Sequence, residues 1–180
     1  FDPTQYGMPA RYDENGNFIY PEGFDPDTQE WKPGFEAARE EVRQFINAKS
    51  TKEIIFTRGT TEAINLVAES FIRPRIKAGD EILISALEHH ANIVPWQHVC
   101  QHTGAVLKVI PIPQHGEVDF DAFEQLIGPR TKILALAHVS NALGTINPVE
   151  KFITVAKKIG VPVLLDGAQA IPHSVVDLQK

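Results

Sequence analysis

Four short stretches of the 180-residue chain combine residue types that do chemistry rather than fill a core. Thr57-Arg58-Gly59-Thr60-Thr61-Glu62 sets a glycine and two adjacent threonines just ahead of an apolar-periodic run. Glycine permits a tight turn, and hydroxyls with free backbone N–H groups at a helix N-terminus make an anion site suited to phosphate. The same stretch also reads as an ordinary threonine N-cap with an acid in the first turn. It lacks the spacing of a P-loop, and no G-x-G-x-x-G run occurs. Leu87-Glu88-His89-His90-Ala91-Asn92 offers two histidines. Sequence neighbours usually point in different directions, and no second cluster has zinc spacing, which disfavours a metal. A histidine ring stacked on a flat aromatic ligand, or a solvated loop histidine, are the readings left. His138-Val139-Ser140-Asn141-Ala142-Leu143-Gly144-Thr145 presents Asn141, donor and acceptor at once, although turn chemistry also favours Asn and Gly. Asp166-Gly167-Ala168-Gln169 follows Val163-Leu164-Leu165, so the Asp166 carboxylate is largely desolvated and needs a partner. A cationic ligand, a helix cap or a structural ion pair would each serve.

The elements that must position these residues follow from periodicity. Strands are expected at Glu53–Thr57, Glu81–Ser85, Ala105–Ile110, Lys132–Val139 and Val161–Leu165. Helices are expected at Phe35–Ala48, Thr61–Phe71, Ala91–His102 with Pro95 in its first turn, Phe120–Ile127 and Val149–Ile159. Apolar strands alternating with helices predict an α/β fold with a parallel-rich sheet covered on both faces. In such sheets ligands bind beyond the carboxyl ends of the strands, where all four stretches fall. A phosphate cradle, a stacking histidine, a polar Asn and a buried Asp at one sheet edge are together what a phosphorylated pyridine needs. An Asp facing the pyridinium is a standard part of pyridoxal-phosphate sites.

Composition narrows the setting. Hydrophobic residues make up 43%, enough for a real core, and the net charge of −6 argues against nucleic acid. No apolar run approaches the ~20 residues of a membrane helix. The single cysteine, Cys100, excludes an internal disulfide, and a reducing, cytoplasmic setting is expected. Cys100 lies on the face of Ile93, Trp96 and Gln97 and reads as a buried packing thiol. Residues 1–34 differ from the rest: they hold five of 13 prolines, all three tyrosines and −5 of the net charge of −6. This acidic segment reads as an extension of unknown role, with at most a short hairpin around Phe18-Ile19-Tyr20. As a docking arm it would use Tyr6, Tyr12, Tyr20 and Trp31 as anchors. Residues 35–180 are then the expected α/β body.

The runs Arg58–Ala68, Glu88–Gln97, His138–Asn141 with Gly144-Thr145, and Leu165–Ala170 resemble the class V aminotransferase-like cysteine desulfurases. They are most similar to the sulfur-mobilisation (Suf) branch and to selenocysteine lyases, over roughly residues 35–180. The resemblance implies a pyridoxal-phosphate-dependent transferase of fold type I, here an incomplete large domain. It implies that Thr60 and Thr61 hold the cofactor phosphate and that His89 stacks on the ring and helps move protons. It further implies that Asp166 pairs with the ring nitrogen, Gln169 contacts the phenolic oxygen, and Asn141 contacts the substrate or the cofactor edge. The implied reaction converts L-cysteine, or L-selenocysteine, to L-alanine. Sulfur passes through an enzyme persulfide to an acceptor protein for iron-sulfur cluster assembly, and the implied assembly is a homodimer.

The departures bear on activity. The family's Schiff-base lysine lies in a Ser-Gly-His-Lys stretch that does not occur here, and the persulfide cysteine is not found either. The 180-residue chain by itself is therefore expected to be inactive. Two alternatives remain: another pyridoxal-phosphate lyase or transaminase, and a non-catalytic scaffold or binding module of the same fold.

Overall fold

The computed structural model describes residues 12–20, 24, 25, 27, 28, 30, 31, 33–114 and 116–179; of Glu30, Trp31 and Pro33 it describes the backbone. Contacts divide the chain into two compact units. The first runs to Phe56 and takes in the segment from Val175; the second is Thr57–Ser174. The division does not fall at residue 34, where the composition changes.

In the first unit, β1 (Phe24–Asp25) and β2 (Glu30–Trp31) form a two-stranded antiparallel ribbon. An isolated antiparallel bridge joins Tyr12 to Phe18. Asp13 Oδ1 accepts from the N–H groups of Asn15 (2.9 Å) and Asn17 (2.8 Å), which closes that turn. Tyr12, Phe18 and Tyr20 meet edge to face at 5.8 and 5.0 Å, so these rings pack on one another. Tyr6 and the Trp31 side chain, the other expected anchors, lie outside the described residues. Helix α1 (Pro33–Phe45) stops short of the expected Ala48. Asn47 adopts φ 54°, and the Ala48 N–H reaches back to the Arg43 carbonyl at 2.9 Å. That is a left-handed helix cap, a conformation asparagine tolerates better than most residues.

One expected strand is absent. Thr51–Glu53 is a 3-10 turn, and residues 54–57 join no sheet. The β-branched run has propensity, but a strand needs a partner. Here the Ile54 carbonyl is taken by the Arg39 guanidinium, and Ile55 and Phe56 are exposed.

The second unit carries a four-stranded, all-parallel sheet in the order β4-β3-β5-β6. Its strands are β3 (Glu81–Ser85), β4 (Val106–Ile110), β5 (Thr131–Ala137) and β6 (Val163–Asp166). Side chains alternate across it. Ile82, Ile84, Ile133 and Ala135 pack beneath Ile64, Ile72, Trp96 and Val99. Leu83, Leu134 and Leu136 pack against Phe123 and Phe152 on the other face. One face is thus covered by α2 (Thr60–Leu66) and α3 (Val94–Thr103), the other by α4 (Phe120–Leu126) and α5 (Val149–Lys158). The sequence expectation of a parallel sheet buried on both faces holds.

Two helices differ in detail. α2 passes at Val67 into a π-helical turn ending at Ile72. The expected helix from Ala91 is broken: His90–Asn92 is 3-10, Ile93 turns away at φ −120°, ψ −56°, and α3 begins at Val94. Pro95 causes this, because it has no N–H to donate and crowds the preceding turn. Cys100 packs against the core but is half-buried rather than fully buried, and burial pushes its thiol pKa up.

At the N-terminal edge of the sheet, buried Glu81 meets Lys108 at 2.9 Å and Arg130 at 2.7 Å. Burial alone would raise its carboxyl, but these two cations hold it below the usual glutamate range. A depressed carboxyl stabilises the fold above its unfolded value, near 4.5, and loses that contribution as pH falls. Glu81→Gln is therefore expected to cost about 1–2 kcal/mol at pH 7, since a fully buried broken pair costs more and Arg130 is largely exposed. Denaturant unfolding at pH 7 and pH 4 checks this; a deficit equally large at both would contradict it.

Candidate functional site

The chain moves from β3 outward to β4, then crosses β3 to lay down β5 on its other side. Strand order therefore reverses between β3 and β5, and ligands of open α/β sheets bind at the carboxyl side of such a reversal. A cavity of about 240 Å³ opens there. Thr60, Thr61, His89, Asn141, Asp166 and Gln169 all line it, alongside small side chains such as Ala91, Ala137 and Val139. The structure thus brings these six sequence candidates to one cavity, and His90 is not among its lining residues. A larger groove of about 560 Å³, lined by Phe71, Ile153 and Val163 among others, flanks β6, but it gathers almost no polar groups.

Thr60 and Thr61 are the first two residues of α2, so their N–H groups have no intrahelical acceptor. Gly59 caps the helix at φ 157°, ψ 175°, a region essentially open to glycine alone. Nothing lies within 4 Å of where its Cβ would stand. The turn is braced by Glu62, which accepts from the Arg58 backbone N–H at 2.6 Å and pairs with its guanidinium at 2.9 Å. The expectation that this helix follows a strand of the parallel sheet fails, because residues 54–57 form no strand pairing among the described residues.

His89 ends the loop after β3. Its Nδ1 accepts from the Ala91 N–H at 3.2 Å, so in the neutral ring the proton sits on Nε2. His90 stands edge-on to it at 5.9 Å and is exposed. Asn141 is exposed in a turn that Ser140 holds, its hydroxyl accepting from the Ala142 and Leu143 N–H groups at 3.3 and 3.2 Å. Asp166 closes β6, is 8% exposed, and accepts from the Ala168 N–H at 3.0 Å. Gln169 is exposed in the turn that follows.

Sequence reasoning passed over Glu88. It is buried, and three donors converge on its carboxylate: Ser85 Oγ (2.5 Å), Asn92 Nδ2 (2.6 Å) and the Ala137 N–H (3.0 Å). Burial pushes its carboxyl up, the three hydrogen bonds work against that, and the Asp166 charge adds to the rise. The available signal was the spacing Ser85, Glu88, Asn92, Trp96: polar groups one turn apart between an apolar strand and a buried tryptophan.

Residues 15–180 match the family model "Aminotransferase class-V". The chain belongs to the class-V aminotransferase family. Among its class-V relatives, a cysteine desulfurase of Synechococcus elongatus is 55% identical over 145 residues, covering 81% of this chain and 23% of that protein. A probable cysteine desulfurase of Vibrio cholerae is 54% identical, covering 81% and 36%. The crystal structure of the cysteine desulfurase CsdA from Escherichia coli superposes with a TM-score of 0.78 at 47% identity, covering 81% of this chain and 36% of that one. The chain thus spans between about a quarter and a third of the length of the relatives it matches. The match to the family model begins at residue 15, earlier than the motifs alone suggested.

The His89 geometry has a direct readout. In the 180-residue chain, nitrogen NMR near pH 8 is expected to find the neutral His89 ring protonated at Nε2. A proton on Nδ1 would mean that the Ala91 contact does not form.

Proposed function

We propose that this chain supplies the pyridoxal-phosphate-binding part of a cysteine desulfurase. The observation that carries the reading is that an anion-binding helix start and a buried carboxylate face one cavity from different elements, with a histidine ring between them in sequence. The residues fit the cofactor. Thr60 and Thr61 offer hydroxyls and free N–H groups to the phosphate. His89 offers a ring face and an Nε2 proton. Asp166, desolvated and held by the Ala168 N–H, meets the ring nitrogen, and Gln169 meets the phenolic oxygen. Asn141, at the open side, contacts the substrate or the cofactor edge. Bound there, pyridoxal phosphate supplies the electron sink for carbanion chemistry on an amino acid. The residues here orient it, keep its ring nitrogen protonated and, through His89, move a proton.

L-cysteine is the proposed substrate, with L-selenocysteine second; the names and identity levels of the relatives support the order. The products are L-alanine and sulfur held as an enzyme persulfide for an acceptor protein. A homodimer in the cytoplasm is the proposed setting. No helix among the described residues is long and apolar enough to cross a membrane.

Two measurements test this. Titrating the 180-residue chain with pyridoxal phosphate is expected to give a saturable absorbance change, and Asp166→Asn is expected to weaken binding by about tenfold or more, since a carboxylate beside a cation is worth 1–3 pKa units. Grafting Thr57–Ser174 in place of the matching segment of a desulfurase relative is expected to keep alanine formation from L-cysteine. Asp166→Asn in the graft is expected to abolish most of it without loss of folding. An inactive but folded graft, with no saturable binding, would overturn the proposal.

A further inference from the structure

Glu88 is the residue at which the two strands flanking the cavity are tied together. In β5, Leu134 donates its N–H to the β6 side, to Pro162, and His138 donates to Asp166, both on the same edge. Ala137, one residue before His138, therefore donates toward β3. By then the β3–β5 ladder has ended at Ile84 and Ala135, and β3 has turned away. The Glu88 carboxylate replaces the missing strand and accepts that N–H at 3.0 Å. The Ala137 carbonyl accepts from Asn147 Nδ2 at 2.8 Å.

Every donor aimed at Glu88 has its direction fixed by a further bond. The Trp96 indole N–H can only donate, and it takes Asn92 Oδ1 at 2.9 Å, so the Asn92 amide nitrogen must face Glu88. The Leu87 N–H takes a lone pair of Ser85 Oγ at 3.1 Å, which leaves the hydroxyl proton for Glu88. The site thus demands a group that accepts on both oxygens, which is a carboxylate. Ala137, which Glu88 holds, is the register partner of Asp166 across β5 and β6, so the two acids flank one residue pair, and no ion pair among the described residues neutralises either.

We propose that Glu88 is a positioning residue of this site: its ionised carboxylate spans the crevice between β3 and β5, fixes Ala137 and the His89 loop, and adds negative potential behind Asp166 that favours a cationic ring nitrogen. The second half of this rests on the pyridoxal-phosphate reading; the first does not. Glu88→Gln keeps the shape, but its amide nitrogen opposes either Ser85 and the Ala137 N–H together or Asn92 alone, so at least one of the three donors faces another donor.

The test uses the 180-residue chain with hydrogen exchange and two ligands, pyridoxal phosphate and its carbocyclic analogue, in which the ring nitrogen is replaced by carbon. Without ligand, Glu88→Gln, which leaves the Ala137 N–H a neutral acceptor in its less costly orientation, is expected to speed exchange of the Ala137 amide by about tenfold, the scale of the difference between a charged and a neutral acceptor. It is expected to weaken pyridoxal phosphate by about tenfold and the analogue by no more than about twofold. Glu88→Asp, which keeps the charge and shortens the reach, is expected to lose the Ala137 protection yet retain the preference for pyridoxal phosphate; it also serves if Glu88→Gln does not fold. Unchanged Ala137 exchange in either variant overturns the positioning role. Equal loss of both ligands overturns the electrostatic one. Faster Ala137 exchange in a chain that binds neither ligand sustains the positioning role and refutes the cofactor reading instead.

Discussion

Strand β3 is hydrogen-bonded to a parallel neighbour on each edge and covered by helices on each face, and every other placement in the second unit depends on it. All five of its residues are buried, so its backbone has no solvent to turn to and must pair with β4 and β5 in a single register. A one-residue slip would exchange Ile82 and Ile84 with Leu83 between two differently shaped cores. Because all four strands run the same way, their carboxyl ends reach one edge together. The loops that follow β3, β5 and β6 emerge side by side, and α2 delivers Thr60 and Thr61 to the same place. The convergence of residues spread from 60 to 169 is a consequence of parallel pairing.

That convergence was legible in the sequence because parallel strands buried on both faces leave a plain signature, runs such as Ile133–Ala137 with no polar residue. Polar residues at or a few positions beyond the end of such a run stand at the carboxyl edge of the sheet, which is how Asp166, His89 and Asn141 stand out as candidates. Other features were not legible for identifiable reasons. The Ile54–Thr57 run has strand propensity, but propensity does not say whether a partner strand is present, and none among the described residues pairs with it. The break ahead of α3 was half visible: Pro95 was recognised as a first-turn residue, yet that same fact requires the helix to begin near Val94 rather than at Ala91. The end of α1 turned on Asn47 taking a left-handed conformation, a preference too weak to prevail in the reading against Val42, Phe45 and Ile46 in helical phase.

Glu88 illustrates a further limit. In the sequence it reads as one more loop residue, and its neighbours His89 and His90 carry the chemical interpretation. Its importance arises from long-range geometry, a contact to Ala137 forty-nine residues away, which no local pattern contains. With its local partners it does form a pattern, since Ser85, Glu88, Asn92 and Trp96 succeed one another at turn-like spacing and each is hydrogen-bonded to the next. A buried tryptophan must give its N–H to something, and following that requirement outward from Trp96 leads to Asn92, then to Glu88, then to the sheet edge.

The two edges of the sheet treat buried acids in opposite ways, and the contrast bears on what the cavity can hold. At the N-terminal edge, Glu81 is clasped by Lys108 and Arg130, and Asp80 faces Lys132 at 3.5 Å. Those charges are neutralised within the fold and have little field left to act on a ligand. At the carboxyl edge, Glu88 and Asp166 are held by hydroxyl, amide and backbone N–H donors instead. Such donors offset part of the cost of burying a carboxylate without cancelling its charge. Two like charges close together in a desolvated place repel each other, and a cation entering the cavity relieves both at once. The burial of like charges at this edge therefore carries an electrostatic cost that a cation entering the cavity would lower, whereas the acids at the opposite edge give no such preference.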